Sequence, residues 1–176
     1  MLSRLRLINR NQRGFTLIEL IIAIGITGLI GGGITMTMFQ TFDYNTRSSA
    51  RMTAVAQLEN AILWVSRDIQ MAQTVEPDPD GFPLTLTWVE WDTNNERQVV
   101  YTLVDNKLRR EHYTNRATNP DPDDTLFVAR YIDSSETSCS WDDVTGTLTF
   151  TLTTKVSRGA QESSETRICE VVPRPS

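Results

Sequence analysis

Residues 14–39 read GFTLIELIIAIGITGLIGGGITMTMF, and the rest of the architecture depends on this run. It carries one charged side chain, Glu19, and the next ionisable residue along the chain is Asp43. About 25 residues in a helix extend roughly 37 Å, which is enough to cross a hydrocarbon core of about 30 Å with some tilt. Residues 15–39 are therefore predicted to form a membrane-spanning helix.

The residues on the two sides of this run indicate its orientation. The downstream side is nearly uncharged until Asp43, whereas the upstream side holds four arginines: Arg4, Arg6, Arg10 and Arg13. Positive charge favours the cytoplasmic side, so the N-terminus is predicted inside and the rest of the chain outside the cytoplasm. A conventional cleaved secretory signal is the alternative, but it needs small residues directly after the apolar core. The best candidate, residues 48–50, lies well past that core.

Glu19 turns a plain membrane anchor into a more specific hypothesis. A carboxylate inside a spanning helix costs about 3 kcal/mol on insertion scales, and such groups are usually neutralised by a partner. Taken alone, Glu19 could be a harmless glutamate at the membrane face that is protonated or snorkels to water. Its context is Gly-Phe-Thr-Leu-Ile-Glu at residues 14–19 after a short leader that bears arginines. This context resembles the N-terminal signal of type IV pilins and type II secretion pseudopilins.

The resemblance implies a processing site and an assembly residue. In that family a prepilin peptidase cuts after the glycine, here Gly14, and methylates the new N-terminus, here Phe15. Glu19 then becomes the fifth residue of the mature chain. Its carboxylate is implied to pair with the terminal amine of a neighbouring subunit as a filament assembles. Other pilin or pseudopilin subunits are therefore the expected partners, together with the peptidase and the membrane.

Glycines interrupt the apolar run and allow two interpretations. Gly28 and Gly32 have the small-x-x-x-small spacing that lets membrane helices approach one another closely. Residues 31–33 are three consecutive glycines, at which the helix could instead bend or partly unwind. Filament packing could use both properties.

Beyond the apolar run, a helical pattern continues in a polar segment. One apolar stripe follows steps of three and four: Val55, Leu58, Ile62, Val65, Ile69 and Ala72. Asp68, Gln57 and their polar neighbours fall off the stripe and are predicted to face solvent. The stripe is too short for a convincing coiled coil, so packing on a sheet is favoured. A nearly continuous helix is predicted from about residue 16 to about residue 73.

The remainder of the chain has the period-two alternation of strands. Residues 98–104 and 107–112 flank Asp105-Asn106 and are predicted to form a hairpin. Further strands are predicted at residues 84–89, 126–132, 147–153 and 166–172, the last of which closes the sheet. One helix followed only by strands predicts an α+β fold with an antiparallel sheet on the helix. The resemblance implies that this fold is pilin-like. The predicted segments are a leader (1–14), a membrane or filament-core helix (15–39), an amphipathic helix (40–74) and an extracytoplasmic β domain (75–176).

Candidate covalent and metal sites are few. Cys139 and Cys169 lie in the exported part, where an even count suggests one disulfide, although two reduced thiols are the alternative. Pilins often carry a disulfide near the C-terminus, so the resemblance also favours the bond. Residues 76–83 resemble half of a calcium loop, but position twelve is Thr87 instead of glutamate. This segment and residues 121–124 are predicted to be turns, so no metal or cofactor is expected, with calcium as a weak alternative.

Charge and motifs exclude several classes of function. Removal of residues 1–14 takes away four arginines and no acidic residue, so the formal charge moves from −5 to −9. An acidic domain of this kind is not expected to bind nucleic acid directly. No nucleophile elbow or phosphate-binding loop is present, and His112, the only histidine, is predicted to be an exposed strand-end residue. The protein is therefore predicted not to be an enzyme.

The downstream residues give a looser resemblance to the J-type minor pseudopilin and its minor-pilin and competence relatives. The resemblance rests on residues 65–69 with Ala72, on residues 100–103 and 108–110, and on the threonine-rich residues 147–153. The two cysteines and the Asp-Pro loops have no counterpart in that subtype, and Glu19 argues against the K-type tip pseudopilin. The function predicted is a structural, minor filament subunit held in the inner membrane before assembly. The alternative is an anchored extracytoplasmic ligand-binding domain that never enters a filament.

Overall fold

The computed structural model of the protein describes residues 14–159 and 161–173. Residues 1–13 of the predicted leader lie outside the described residues. Within the described part, a long helix precedes a series of strands, which confirms the predicted α+β, pilin-like class. In chain order the elements are α1 (Leu17–Met71), β1 (Thr74–Pro77), β2 (Leu84–Val89), β3 (Glu96–Val104), β4 (Lys107–Thr114), β5 (Asp124–Arg130), β6 (Ser138–Asp142), β7 (Thr147–Arg158) and β8 (Gln161–Val171).

The chain divides into two compact units, Met1–Asp43 and Tyr44–Ser176. The first contains the apolar part of α1, and the second contains the amphipathic part of α1 together with all the strands named above. The predicted amphipathic helix and β domain thus belong to one unit with a common core. The contacts between helix α1 and the strands lie in this second unit.

The strands form two antiparallel sheets instead of the one that the sequence predicts. β1 to β5 lie in sequential order in a five-stranded sheet, and β6, β7 and β8 form a three-stranded sheet. The sheets meet at Ile132, which bridges to Thr154, and the backbone bonds from Asp133 N to Thr153 O and from Lys155 N to Tyr131 O are both 2.8 Å long. The residues that make these bonds come directly after β5, which ends at Arg130. The chain therefore leaves the first sheet and contacts the second at the end of that strand.

The predicted hairpin is confirmed in detail. Asp105 and Asn106 connect β3 to β4, and both have positive φ angles, of 49° and 57°. This is the backbone of a two-residue primed turn, which asparagine and aspartate tolerate better than other residues. It fixes the register so that Leu103 lies opposite Leu108. The apolar alternation of both strands then faces one core.

The buried face of α1 is rotated slightly from the predicted stripe. Leu58, Val65, Ile69 and Ala72 are buried as predicted, whereas Val55 and Ile62 are only half-buried. Ala54 and Ala61 are fully buried in their place. Alanine leaves room for the strands to approach the helix backbone, and Thr154 donates a hydrogen bond to the carbonyl of Ala54 at 3.2 Å. Small residues therefore define the centre of the interface, which a pattern of large apolar residues does not reveal.

Asp68 contradicts the prediction that it faces solvent, because only 1 % of its surface is exposed. Its Oδ2 accepts hydrogen bonds of 2.6 Å from Arg110 Nε and from Tyr101 Oη, and Oδ1 accepts one of 3.2 Å from Arg110 Nη2. The Arg110 guanidinium also lies 5.2 Å from the centre of the Trp64 ring. A buried carboxylate is tolerated when it is fully hydrogen-bonded and paired. These donors come from β3 and β4, so helix spacing alone could not predict them.

Side chains of α1 also satisfy the outer edge of β5. Asn60 Nδ2 donates to the Val128 carbonyl at 2.5 Å, and the Arg130 amide donates to Gln57 Oε1 at 2.7 Å. Unpaired backbone groups at a sheet edge invite pairing with another chain. The polar helix residues that flank the apolar stripe therefore protect this edge instead of only facing water.

Cys139 and Cys169 are free thiols, so the predicted disulfide is not formed in this structure. Cys139 on β6 and Cys169 on β8 each lie opposite Phe150 of the intervening strand β7. Two strand spacings separate their Cα atoms by about 9.6 Å, and a disulfide spans at most about 7 Å. Phe150, which is 1 % exposed, fills the space between them. The alternative of two reduced thiols agrees with this arrangement.

Gly81 is required by the close approach of β6. Its φ angle is +94°, and a Cβ atom there would lie 2.8 Å from the Cys139 amide nitrogen. The Cys139 thiol donates a hydrogen bond to the Gly81 carbonyl. Burial raises the pKa of this thiol to about 12, so it stays protonated. The predicted turn at residues 76–83 thus packs against β6, and the Asp80 amide donates to Asp78 Oδ1 at 3.3 Å.

Candidate processing and assembly site

The predicted cleavage site lies just outside helix α1. Residues 14–16 have no regular secondary structure, the helix begins at Leu17, and Phe15 is 84 % exposed. A Cβ atom added to Gly14 would meet nothing within 4 Å, and its φ angle is not in the left-handed region. The described chain therefore imposes no packing requirement for glycine here. Gly14 and Phe15, the two residues of the predicted cleavage site, are both exposed.

Thr16 and Glu19 form a capping box at the start of α1. This capping box is not among the features predicted from the sequence. Glu19 Oε2 accepts a 3.5 Å hydrogen bond from the Thr16 amide and one of 3.3 Å from its hydroxyl, and the Glu19 amide donates to Thr16 Oγ1 at 3.4 Å. This is the Thr-x-x-Glu signature of a helix N-terminus. The carboxylate also lies at the positive end of the helix dipole. Glu19 thus has a local partner in addition to the predicted intermolecular one.

The contacts of this capping box leave Glu19 available for a further partner. The two that Glu19 Oε2 accepts, of 3.5 and 3.3 Å, are long for hydrogen bonds to a carboxylate, which are typically about 2.7–2.9 Å. A carboxylate can accept about four hydrogen bonds, and those from Thr16 engage one of its two oxygens. The capping box therefore orients the carboxylate at the helix start without exhausting its capacity.

The apolar part of α1 exposes its large side chains on every side. Leucines, isoleucines, methionines and phenylalanines between residues 15 and 42 are each 53–84 % exposed. Among the described residues, α1 is the one helix long and apolar enough to cross a membrane. A helix that is apolar all round needs an apolar environment, either lipid or other helices. Residues 15–42 are therefore suited both to a membrane and to the interior of a helix bundle.

Threonines within this segment are accommodated by the helix itself. Thr27, Thr35, Thr37 and Thr41 each donate a side-chain hydrogen bond of 2.8–2.9 Å to the carbonyl four residues earlier. A hydroxyl without a partner would be costly in hydrocarbon. These bonds leave the helix surface without unsatisfied hydroxyl donors at those positions.

The glycine positions show no break in the helix. Residues 25–33 are α-helical throughout, so the helix is not unwound at the three glycines of residues 31–33. A Cβ atom at Gly28 or Gly32 would meet nothing within 4 Å in the chain. The packing role of Gly28 and Gly32 remains a prediction, because any close approach there involves another molecule.

The remaining predicted sites are not assembled into a binding centre by the described residues. In residues 14–159 and 161–173, no group of three or more His, Cys, Asp or Glu side chains is placed to share a metal ion. His112 is not the predicted exposed strand-end residue, since it lies within β4 and is half-buried. Its Nδ1 is 3.7 Å from Asp123 Oδ2, and its ring centre is 6.5 Å from that of Trp88.

These features define a chain with a capped apolar helix, an exposed Gly14-Phe15 junction before it and strands that follow it in the sequence. A family model described as the prokaryotic N-terminal methylation motif matches residues 9–35. The chain therefore carries a prepilin-type N-terminal signal. This motif points to a pilin-like structural protein. Comparisons with curated proteins and with solved structures give no match for the chain.

Proposed function

We propose that the protein is a structural, minor subunit of a type IV pilus-like or type II secretion filament. The observation that carries this proposal is the apolar segment of α1, which is exposed on all sides and holds one carboxylate at its capped start. The capping box engages one oxygen of that carboxylate, which leaves capacity for the intermolecular partner that a filament would supply. The J-type subtype is part of the proposal and rests on the looser sequence resemblance alone.

Before assembly, the apolar segment holds the chain in the cytoplasmic membrane. The arginine-rich leader keeps the N-terminus inside, and the unit Tyr44–Ser176 lies outside the cytoplasm. Cleavage after Gly14 removes the basic leader, and the new N-terminal residue, Phe15, is methylated. The processed helix then leaves lipid and packs among the helices of other subunits.

Cleavage supplies the positive charge that Glu19 needs. The precursor has a neutral amide at Phe15, whereas the processed chain has a cationic amine there. Removing one partner of a buried ion pair typically costs about 3–5 kcal/mol, so an unpaired Glu19 in the filament interior would oppose assembly. Pairing with the Phe15 amine of the neighbouring subunit removes this cost. Only processed chains can assemble in this way, which gives the order of the two steps.

Two variants of the full chain, produced in the native host with its own peptidase, test the role of Glu19. Glu19→Val should leave cleavage after Gly14 nearly unchanged but reduce recovery in sheared filaments at least about ten-fold, because it removes the carboxylate. Thr16→Val breaks the capping box but keeps the carboxylate, and should reduce recovery by no more than about five-fold, as a lost cap costs about 1 kcal/mol.

The comparison separates two roles of the carboxylate. Equal losses in the two variants would show that Glu19 acts only as a helix cap. Normal recovery of Glu19→Val in filaments would contradict the proposed intermolecular pairing. Recovery of the wild-type chain in membranes but never in filaments would contradict the proposed function itself.

A further inference from the structure

The turn between β2 and β3 presents an indole to solvent. Trp91 is 98 % exposed, which is unusual for a large aromatic side chain. Tryptophan is also enriched among the residues that contribute most to protein interfaces. Asp92 and Glu96 beside it are also exposed. We call Trp91, Asp92 and Glu96 the indole patch. Its apolar centre and acidic surroundings are suited to contact with a basic, partly apolar surface.

The turn that carries Trp91 is held in place by several contacts. Glu90 Oε2 accepts hydrogen bonds of 2.8 Å from Thr93 Oγ1 and 2.9 Å from Arg97 Nη2. The Val89 amide donates to Gln73 Oε1 at 3.1 Å. The two hydrogen bonds to Glu90 lower the pKa of its carboxyl, first through Thr93 and then through Arg97. An anchor on a fixed turn loses little conformational entropy when it binds.

A second patch has the complementary character. On the face of the five-stranded sheet opposite α1, Arg109 lies opposite Phe127 and Lys107 lies opposite Arg130. Phe127 is 45 % exposed, and Lys107 Nζ lies 5.1 Å from the centre of its ring. The acidic side chain of Glu111 also lies beside this group, with Oε1 3.5 Å from Arg109 Nε. We call Lys107, Arg109, Phe127 and Arg130 the phenyl patch.

The two patches cannot meet within one molecule. Arg97, just after the Trp91 turn, lies opposite Thr114 at the far end of β4, whereas Phe127 lies opposite Arg109. Five residues of strand separate those positions by about 17 Å. Any contact between the indole and phenyl patches must therefore join two molecules, and it is heterologous because different surfaces meet.

We propose that the indole patch of one molecule docks on the phenyl patch of a second copy of this chain. Trp91 packs against Phe127, while Asp92 and Glu96 face Lys107 and Arg130. The contact involves residues of the unit Tyr44–Ser176 alone, so it does not depend on cleavage after Gly14 or on the proposed filament function. Because Asp92, Glu96 and Arg130 are exposed and Lys107 is only half-buried, the contact weakens as ionic strength rises.

Photocrosslinking of the purified, unprocessed full chain in detergent tests this contact. Trp91 is replaced by p-benzoyl-phenylalanine, and the matched control carries that residue at Val144, which is 94 % exposed on the turn between β6 and β7. Irradiation should give a dimer from the first protein in which position 91 is linked to the tryptic peptide of residues 117–130, which contains Phe127. The control should not link to that peptide.

Charge reversal then tests the electrostatic part of the proposal. In the protein crosslinked from position 91, Asp92→Lys or Lys107→Glu should each lower the dimer yield about three- to five-fold, as expected for exposed pairs. The two substitutions together should restore it, because the charges are exchanged. Thermal unfolding of each variant checks that the domain remains folded.

Three outcomes would overturn the proposal. These are a dimer linked only through peptides of α1, adducts with detergent but not with protein, and a double variant that stays as weak as the single ones. Failure of filament assembly with this crosslink intact would instead contradict the proposed function and leave the self-contact standing.

Discussion

The carboxylate of Asp68 and the guanidinium of Arg110 form an ion pair closed off from solvent, with 2.6 Å between Oδ2 and Nε. The pair joins helix α1 to strand β4, and Tyr101 on β3 donates a third hydrogen bond to the same carboxylate. Burial opposes the charge of Arg110, but the hydrogen bonds and charge of Asp68 outweigh it and raise the Arg110 pKa. One polar cluster thus fixes the position of the helix against two strands.

Loss of one member of this cluster should be more damaging than loss of the whole cluster. Asp68→Asn leaves the Arg110 charge without its counter-ion and should lower the free energy of unfolding by about 3–5 kcal/mol. The triple change Asp68→Leu, Arg110→Met and Tyr101→Phe leaves no unpaired polar group and should cost less than the single change. Urea unfolding of the full chain in detergent measures both. A triple variant less stable than Asp68→Asn would contradict this account.

The cysteines should behave as two free thiols of unequal reactivity. Cys139 is buried with a pKa of about 12, whereas Cys169 is half-buried on the edge strand β8. The denatured protein should react with two equivalents of a thiol reagent, and the native protein with one. Because the thiolate is the reactive form, Cys169→Ser should abolish the native reaction and Cys139→Ser should not. A protein with no titratable thiol until reductant is added would contain the disulfide that the strand register excludes.

His112 should make stability fall as the pH is lowered. Burial lowers the pKa of His112, and the charges of Arg110 and Arg97 lower it further, although Asp123 and Asp68 oppose them. The unfolded chain, in which the pKa is about 6.5, therefore binds the proton more readily than the folded chain does. The contribution of neutral His112 is present above about pH 6.5 and is lost below it.

The measurement is the unfolding free energy between about pH 7.5 and pH 5.5. His112→Gln should flatten the decline across this range, whereas Asp123→Asn should steepen it by removing one of the opposing charges. An unchanged slope in His112→Gln would assign the decline to other groups.

Much of the fold could be predicted because it is encoded in local patterns. Alternating residues predicted β2, β3, β4 and the first part of β7, and Asp105-Asn106 predicted the turn between β3 and β4. β1 and β6 have only 4 and 5 residues, so their alternation is too short to recognise. The separation of the strands into two sheets depends on contacts distant in sequence, such as that between Ile132 and Thr154.

The errors at individual residues have the same cause, because they also depend on contacts between residues that are distant in sequence. Asp68 was assigned to solvent because its partners, Arg110 and Tyr101, lie 42 and 33 residues away. The disulfide was predicted from an even number of cysteines, whereas the register places Phe150 between them. Thr16, by contrast, could have been identified from the sequence, since Thr-x-x-Glu before an apolar run is a known capping signature.

If Gly14-Phe15 is the processing site, the purified chain must begin at Phe15, so the first residue of that chain is the property to determine. The full chain is co-expressed with a prepilin peptidase, purified from membranes and analysed by N-terminal sequencing and intact mass. A parallel Gly14→Leu chain serves as the uncleaved control. The account predicts a mature chain that begins at Phe15 and carries one added methyl group, and a control that still begins at Met1. A wild-type chain that also begins at Met1 would contradict it.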